Sequence, residues 1–88
     1  MEIKSAGTLG EAIRFHRRKS GLSQRGLADL AQIGKTSVFD IEKGKATTRL
    51  ATLLAVLKVL NIRLDLQSPL VKEFHATVNE NSAREKQS

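Results

Sequence analysis

The chain has no cysteine, no tryptophan and no tyrosine, and a single proline among its 88 residues. Without cysteine, neither a disulfide framework nor a thiolate metal site can form. No apolar run approaches the length of a membrane-spanning helix. The N-terminus also lacks the unbroken apolar stretch that a signal peptide needs. The expected setting is the cytoplasm, with no membrane contact. Chemistry-bearing patterns are equally scarce. There is no metal-spaced His/Cys cluster, no glycine-rich phosphate loop and no nucleophile elbow. No catalytic residue, metal or cofactor is therefore expected, and an enzyme is the class least favoured.

The length suits one small domain. So short a chain buries a small share of its surface, and pairing with a second copy is a common remedy. The net charge is +6, and all of it falls within residues 1–68. Residues 69–88 carry three basic and three acidic side chains and are neutral. A basic folded part favours a polyanionic partner through phosphate neutralisation and counterion release.

Hydrophobic spacing predicts a series of short helices. The first runs from Thr8 to about Lys19, with Thr8 as N-cap and Glu11 completing a capping box. Leu9, Ala12, Ile13 and His16 fall on one face, so His16 reads as a core or boundary residue. Gly21 supplies the stop. Ser23 caps a second helix, Gln24 to Ala31, with Leu27, Ala28 and Ala31 inward. A third spans about Lys35 to Glu42, with Val38 and Ile41 inward, and Gly44 ends it. A fourth begins at Thr47 or Thr48 and carries Leu50, Leu53, Leu54, Leu57 and Leu60. Val56 and Val59 widen its apolar surface beyond one stripe, which predicts burial against something outside the domain. After Asn61 the period changes to two. Ile62, Leu64 and Leu66 alternate with Arg63, Asp65 and Gln67 until Pro69, the mark of a half-buried strand. A lone strand leaves its backbone groups unsatisfied, and the same strand of a second chain is the simplest partner. Val56, Val59, Ile62, Leu64 and Leu66 are the expected dimerisation residues.

The fold class expected is all-α, a domain of four to five helices with one short C-terminal strand pairing across a homodimer. The divisions are an N-terminal extension over 1–7, a helical domain over 8–61, a dimerisation strand over 62–67 and an unstructured tail over 68–88. Leu70, Val71, Phe74 and Val78 would give that tail an apolar edge if it folded on a partner.

The second and third helices form the motif of interest. Leu27, Ala28, Ile33, Val38 and Ile41 are apolar where two crossed helices interlock, and Ala28 is small at the crossing. Gln24 can present its amide to a phosphate. The third helix opens Gly34-Lys35-Thr36-Ser37, small and polar at the end that would enter a major groove. Leu22-Ser23-Gln24, Leu27-Ala28 and Ile41-Glu42-Lys43-Gly44-Lys45 resemble the Cro/C1-type (Xre) helix-turn-helix family over about residues 8–62. That resemblance implies a lambda-repressor-like fold whose third helix reads bases. It implies Lys35, Thr36 and Asp40 at base edges, Ser37 and Phe39 at the groove walls, and Ser23, Gln24, Lys43 and Lys45 at phosphates. It also implies a structural ion pair between Arg17 and Glu42. Gln32 stands where that family usually has glycine, and His16 where it usually has leucine.

Residues 47–54, 56–57 and 60–66 are similar to the HipB antitoxins, whose helical domain ends in a strand that pairs across the dimer axis. The similarity implies a homodimeric repressor on a palindromic double-stranded DNA operator, associated with the nucleoid. It also implies control of its own operon and binding of a HipA-type Ser/Thr kinase toxin. The alternatives are a stand-alone Xre-type regulator without a toxin and an interaction module that has lost DNA binding.

Overall fold

In a computed structural model the backbone is described for residues 1–87 and side chains as far as residue 79. Among the described residues five helices follow in order: α1 Ala6–Lys19, α2 Gln24–Ala31, α3 Lys35–Glu42, α4 Leu50–Val59 and α5 Val71–Gln87. Helix α2 packs against α3 and α4, and α1 packs against α3. Among the described residues no helix is long and apolar enough to cross a membrane.

Caps set the helix boundaries. Ser5, not Thr8, caps α1, its hydroxyl accepting the Thr8 N–H at 3.1 Å. The helix therefore starts inside the expected extension, and Thr8 supports the cap through its own hydroxyl. Ser23 caps α2 by accepting the Gly26 N–H at 2.9 Å. Helix α4 begins at Leu50 rather than at the threonines. The Thr48 hydroxyl is engaged with the Lys45 carbonyl, which closes the preceding loop instead of capping.

Gln32 ends α2 in the left-handed region, at φ 59° and ψ 45°. A side chain there crowds its own backbone, which costs roughly 1–2 kcal/mol. Gln32→Gly removes that strain but adds unfolded-state entropy, so a net gain of about 0.5 kcal/mol is expected. A thermal melt checks it, with a midpoint a few degrees higher.

The core is Ile13, Leu27, Ala28, Val38, Ile41, Val56, Leu57 and Leu60, flanked by half-buried Leu9, Leu22, Ile33, Leu53 and Val59. Two expectations are corrected here. His16 is exposed, its Nδ1 2.6 Å from the Ala12 carbonyl oxygen, because Arg17 turns inward in its place. Val56 has no exposed surface and fills the core of its own chain, so it has nothing left to offer a partner. The exposed large apolar residues of α4 are Leu50 and Leu54.

Backbone close approach locks α1 to the end of α3. A Cβ on Gly10 would collide with the carbonyl oxygen of Ile41 and lie 2.9 Å from that of Glu42. Gly44, at φ +84°, has its own Cβ position 2.9 Å from the Gly7 Cα.

Asn61 takes a left-handed conformation at φ 57° and closes α4. Residues 62–68 then carry no regular secondary structure within the single chain. A strand awaiting a second chain has no ladder to join there. Beyond it, the expected unstructured tail is replaced by α5. Among the described residues that helix adds none to the core, and Leu70, Phe74 and Val78 are exposed.

Candidate nucleic-acid interface

Helix α3 buries Val38 and Ile41 and turns its other side outward. Lys35, Thr36 and Phe39 are exposed, and Ser37 and Asp40 are half-buried. The structure thus collects the five expected base-facing residues on one short helix. Gly34 gives α3 no side-chain cap. The Ser37 N–H closes on the Gly34 carbonyl at 3.0 Å, whereas those of Lys35 and Thr36 have no partner among the described residues and carry the positive end of the helix dipole. Backbone donors, a lysine and small hydroxyl side chains at one helix end suit phosphate oxygens and base edges.

The flanks differ from expectation in detail. Lys45 Nζ lies 3.4 Å from Asp40 Oδ2, so a residue assigned to phosphate is paired with one assigned to bases. That pair is largely solvated, worth about 0–1 kcal/mol, and opens at little cost. Lys43 Nζ sits 5.5 Å from the centre of the Phe39 ring. The stem of Lys43 therefore holds its charge beside the outer face of α3. Gln24 does not point outward: its Nε2 donates to Glu42 Oε1 at 3.3 Å. Ser23 is exposed, but its hydroxyl is occupied by the α2 cap.

One basic residue beside the site escaped the sequence reading. Arg49, exposed at the start of α4, shares a polar concavity with Ser37, Asp40, Lys45 and Thr47. Its signal was a cation in the loop directly after the third helix, where the chain returns to the same face.

Behind α3 lies the most buried charged pair among the described residues. Arg17 donates from Nε to Glu42 Oε2 at 2.6 Å and from Nη2 to Oε1 at 2.9 Å. Its Nη1 donates to the Leu22 carbonyl at 2.9 Å. The two side chains are only 9% and 4% exposed. This fork ties the end of α1 to the end of α3 and to the α1–α2 turn. Burial pushes the Glu42 carboxyl up, but hydrogen bonds from Arg17 and Gln24 and the charges of Arg17 and Arg14 outweigh it. The net result lies below the ordinary value of 4.5. The Arg17 guanidinium is correspondingly raised, chiefly by its hydrogen bonds to Glu42. The pair therefore helps to set the position of α3, and its burial keeps it away from a ligand.

The helix-turn-helix family matches residues 13–67. The uncharacterised HTH-type transcriptional regulator y4mF of Sinorhizobium fredii is 33% identical over 67 residues, 76% of this chain and 88% of the relative. Among solved structures, a chain of the HipB–O4 20mer complex superposes with a TM-score of 0.71 at 25% identity, covering 78% of this chain and 97% of that one. The restriction-modification controller protein C.AhdI of Aeromonas hydrophila gives a TM-score of 0.61 at 29% identity, over 66% of this chain and 88% of its own. The arrangement is thus all-α and lambda-repressor-like, and its relatives are regulators rather than enzymes. From the paired α2 and α3, the matched residues and these relatives together, the chain belongs to the helix-turn-helix transcriptional regulators.

Proposed function

We propose that the chain is a homodimeric repressor that reads a palindromic operator with α3 and acts as the antitoxin of a HipA-type kinase. The observation that carries the DNA reading is the outward face of α3, with Lys35 and Thr36 exposed at an uncapped helix end. Lys35 would donate to guanine O6 and N7, Thr36 would meet a thymine methyl, and Asp40 would accept from cytosine N4. Lys43, Lys45 and Arg49 would neutralise phosphates, whereas Gln24 would act on the backbone only after leaving Glu42.

Mutations separate the two kinds of contact. Lys35→Ala should weaken operator binding by about 1–3 kcal/mol and relax preference at one position per half-site. Lys43→Ala should weaken binding to all sequences alike and lower the salt slope by about one. Titrations of both variants on operator and random DNA, over a salt series, check this. Equal loss on both DNAs for Lys35→Ala would remove its base-reading role.

The antitoxin role is supported by likeness to a chain of the HipA-HipB-O2-O3 complex, at a TM-score of 0.72 over 97% of that chain. A regulator without a toxin is favoured by the likeness to C.AhdI, a restriction-modification controller. Co-purification with the product of a kinase-like reading frame beside the gene separates them. Recovery of a complex supports the antitoxin. A neighbouring kinase that does not bind leaves the regulator alone.

A further inference from the structure

The segment after Asn61 is unpaired within its own chain. Among the described residues, none of the backbone N–H groups of residues 63–67 finds a partner. Leu64 is 56% and Leu66 66% exposed. Arg63 and Asp65 are exposed and enter no ion pair among the described residues. An open groove beside the segment is lined by Leu54, Leu57, Ile62 and Leu64, with Lys58, Asn61 and Arg63 at its polar positions. The segment thus offers apolar side chains and free backbone edges, the two things a docking strand needs.

The order Ile62-Arg63-Leu64-Asp65-Leu66 is self-complementary about its centre. We propose that a second copy of this chain pairs with the segment in antiparallel fashion, with the two-fold axis passing through Leu64 and each Arg63 facing the Asp65 of the other copy. This rests on the homodimer reading and adds its register.

Residues directly opposite in an antiparallel pair share a face. Apolar side chains meet apolar ones only if the axis passes through a residue, since a one-residue slip moves a strand's side chains to the other face. Centred on residue 63, the pairing sets Arg63 against its own copy. Centred on residue 65, it sets Asp65 against its own copy. Like charges directly opposite oppose pairing. Centred on residue 62, it sets Arg63 against Asn61 and Asp65 against Val59 of α4; centred on residue 66, it sets Asp65 against Gln67 and Arg63 against Pro69. Both registers leave the charges unpaired and shorten the apolar overlap. Centred on 64, it forms two Arg–Asp pairs on one face. On the other face Leu64 meets Leu64, and each Ile62 meets a Leu66. Pro69, lacking an N–H, cannot extend such a ladder.

Because the chain has no cysteine, one introduced thiol reports the register. Opposed residues in such a ladder have Cα atoms about 4.5 or 5.5 Å apart. Both separations fall within the disulfide range of about 4.4–6.8 Å. Under mild oxidation Leu64→Cys should cross-link with itself, as should a mixture of Ile62→Cys with Leu66→Cys. Ile62→Cys and Leu66→Cys alone should not. Arg63→Asp should weaken dimerisation by about tenfold, and adding Asp65→Arg should restore it. If the unmodified chain sediments as a dimer while Arg63→Cys or Asp65→Cys cross-links with itself and Leu64→Cys does not, the register is overturned and the dimer stands. A monomer at all accessible concentrations overturns both.

Discussion

Arg17→Ala should destabilise the folded chain by about 3–5 kcal/mol, the range for breaking one partner out of a buried ion pair. The loss comes less from the missing attraction than from the carboxylate left behind. Glu42, with a side chain 4% exposed, keeps only the long hydrogen bond from Gln24 once the guanidinium is gone. The Leu22 carbonyl loses its donor as well. A domain of this size holds only about 5–10 kcal/mol in total, so a large fraction of its stability is at stake. Replacing both members, Arg17→Met with Glu42→Leu, should recover much of the loss, because no uncompensated charge remains.

The pH profile distinguishes this from lost packing. In the intact chain the folded carboxyl lies below its ordinary 4.5. Its contribution to stability is therefore complete above that value and fades as pH falls through the folded value. In Arg17→Ala, desolvation dominates and raises the carboxyl instead. Acid should then cost the variant less than it costs the parent. Chemical denaturation from pH 7 down to pH 3 measures it. A constant difference between the two proteins across that range would mean that the ion pair is not the source of the loss.

Gly10→Val should cost about 3 kcal/mol, at the upper end for forcing volume into a packed contact. The obstacle is backbone. The added Cβ meets the carbonyl oxygens of Ile41 and Glu42, which cannot rotate away as a side chain would. Helix α1 would have to lift from α3 and stretch the Arg17–Glu42 fork as it does so. The expected result is a lower denaturation midpoint together with weaker operator binding at temperatures where the variant is still folded. Gly7→Ala is the control. Its added Cβ would meet only the Ser5 hydroxyl oxygen, at 3.7 Å. If Gly10→Val matched that control in stability, the close α1–α3 approach would be refuted.

The two helices at the centre were legible because several signals agree there. The apolar spacing of Leu27, Ala28, Val38 and Ile41, the Ser23 cap and the Gly44 stop all place α2 and α3 where they occur. The misplacements have physical reasons. Two hydroxyl residues compete to start α1, and spacing alone does not choose Ser5 over Thr8. Periodicity ranks side chains by apolarity, so it set His16 inward; the Arg17–Glu42 pairing was implied only by the family resemblance, because the carboxylate lies 25 positions away. Helix α4 is apolar on several faces, and its pattern does not say that Val56 serves its own core while Leu50 and Leu54 face out. Within the site, exposure of Lys35, Thr36 and Phe39 follows from the burial of Val38 and Ile41. The inward turn of Gln24 depends on Glu42, which only the folded chain brings near.

Protection mapping of the DNA upstream of the gene decides whether α3 reads sequence in duplicate. Two protected half-sites are expected, with centres about 34–36 Å apart along the helix, or a multiple of one turn. That protection should vanish for Lys35→Ala at concentrations where Lys43→Ala, tested at lower salt, still shows it. Protection that spreads evenly without half-sites, or that both substitutions erode alike, would contradict sequence reading by α3.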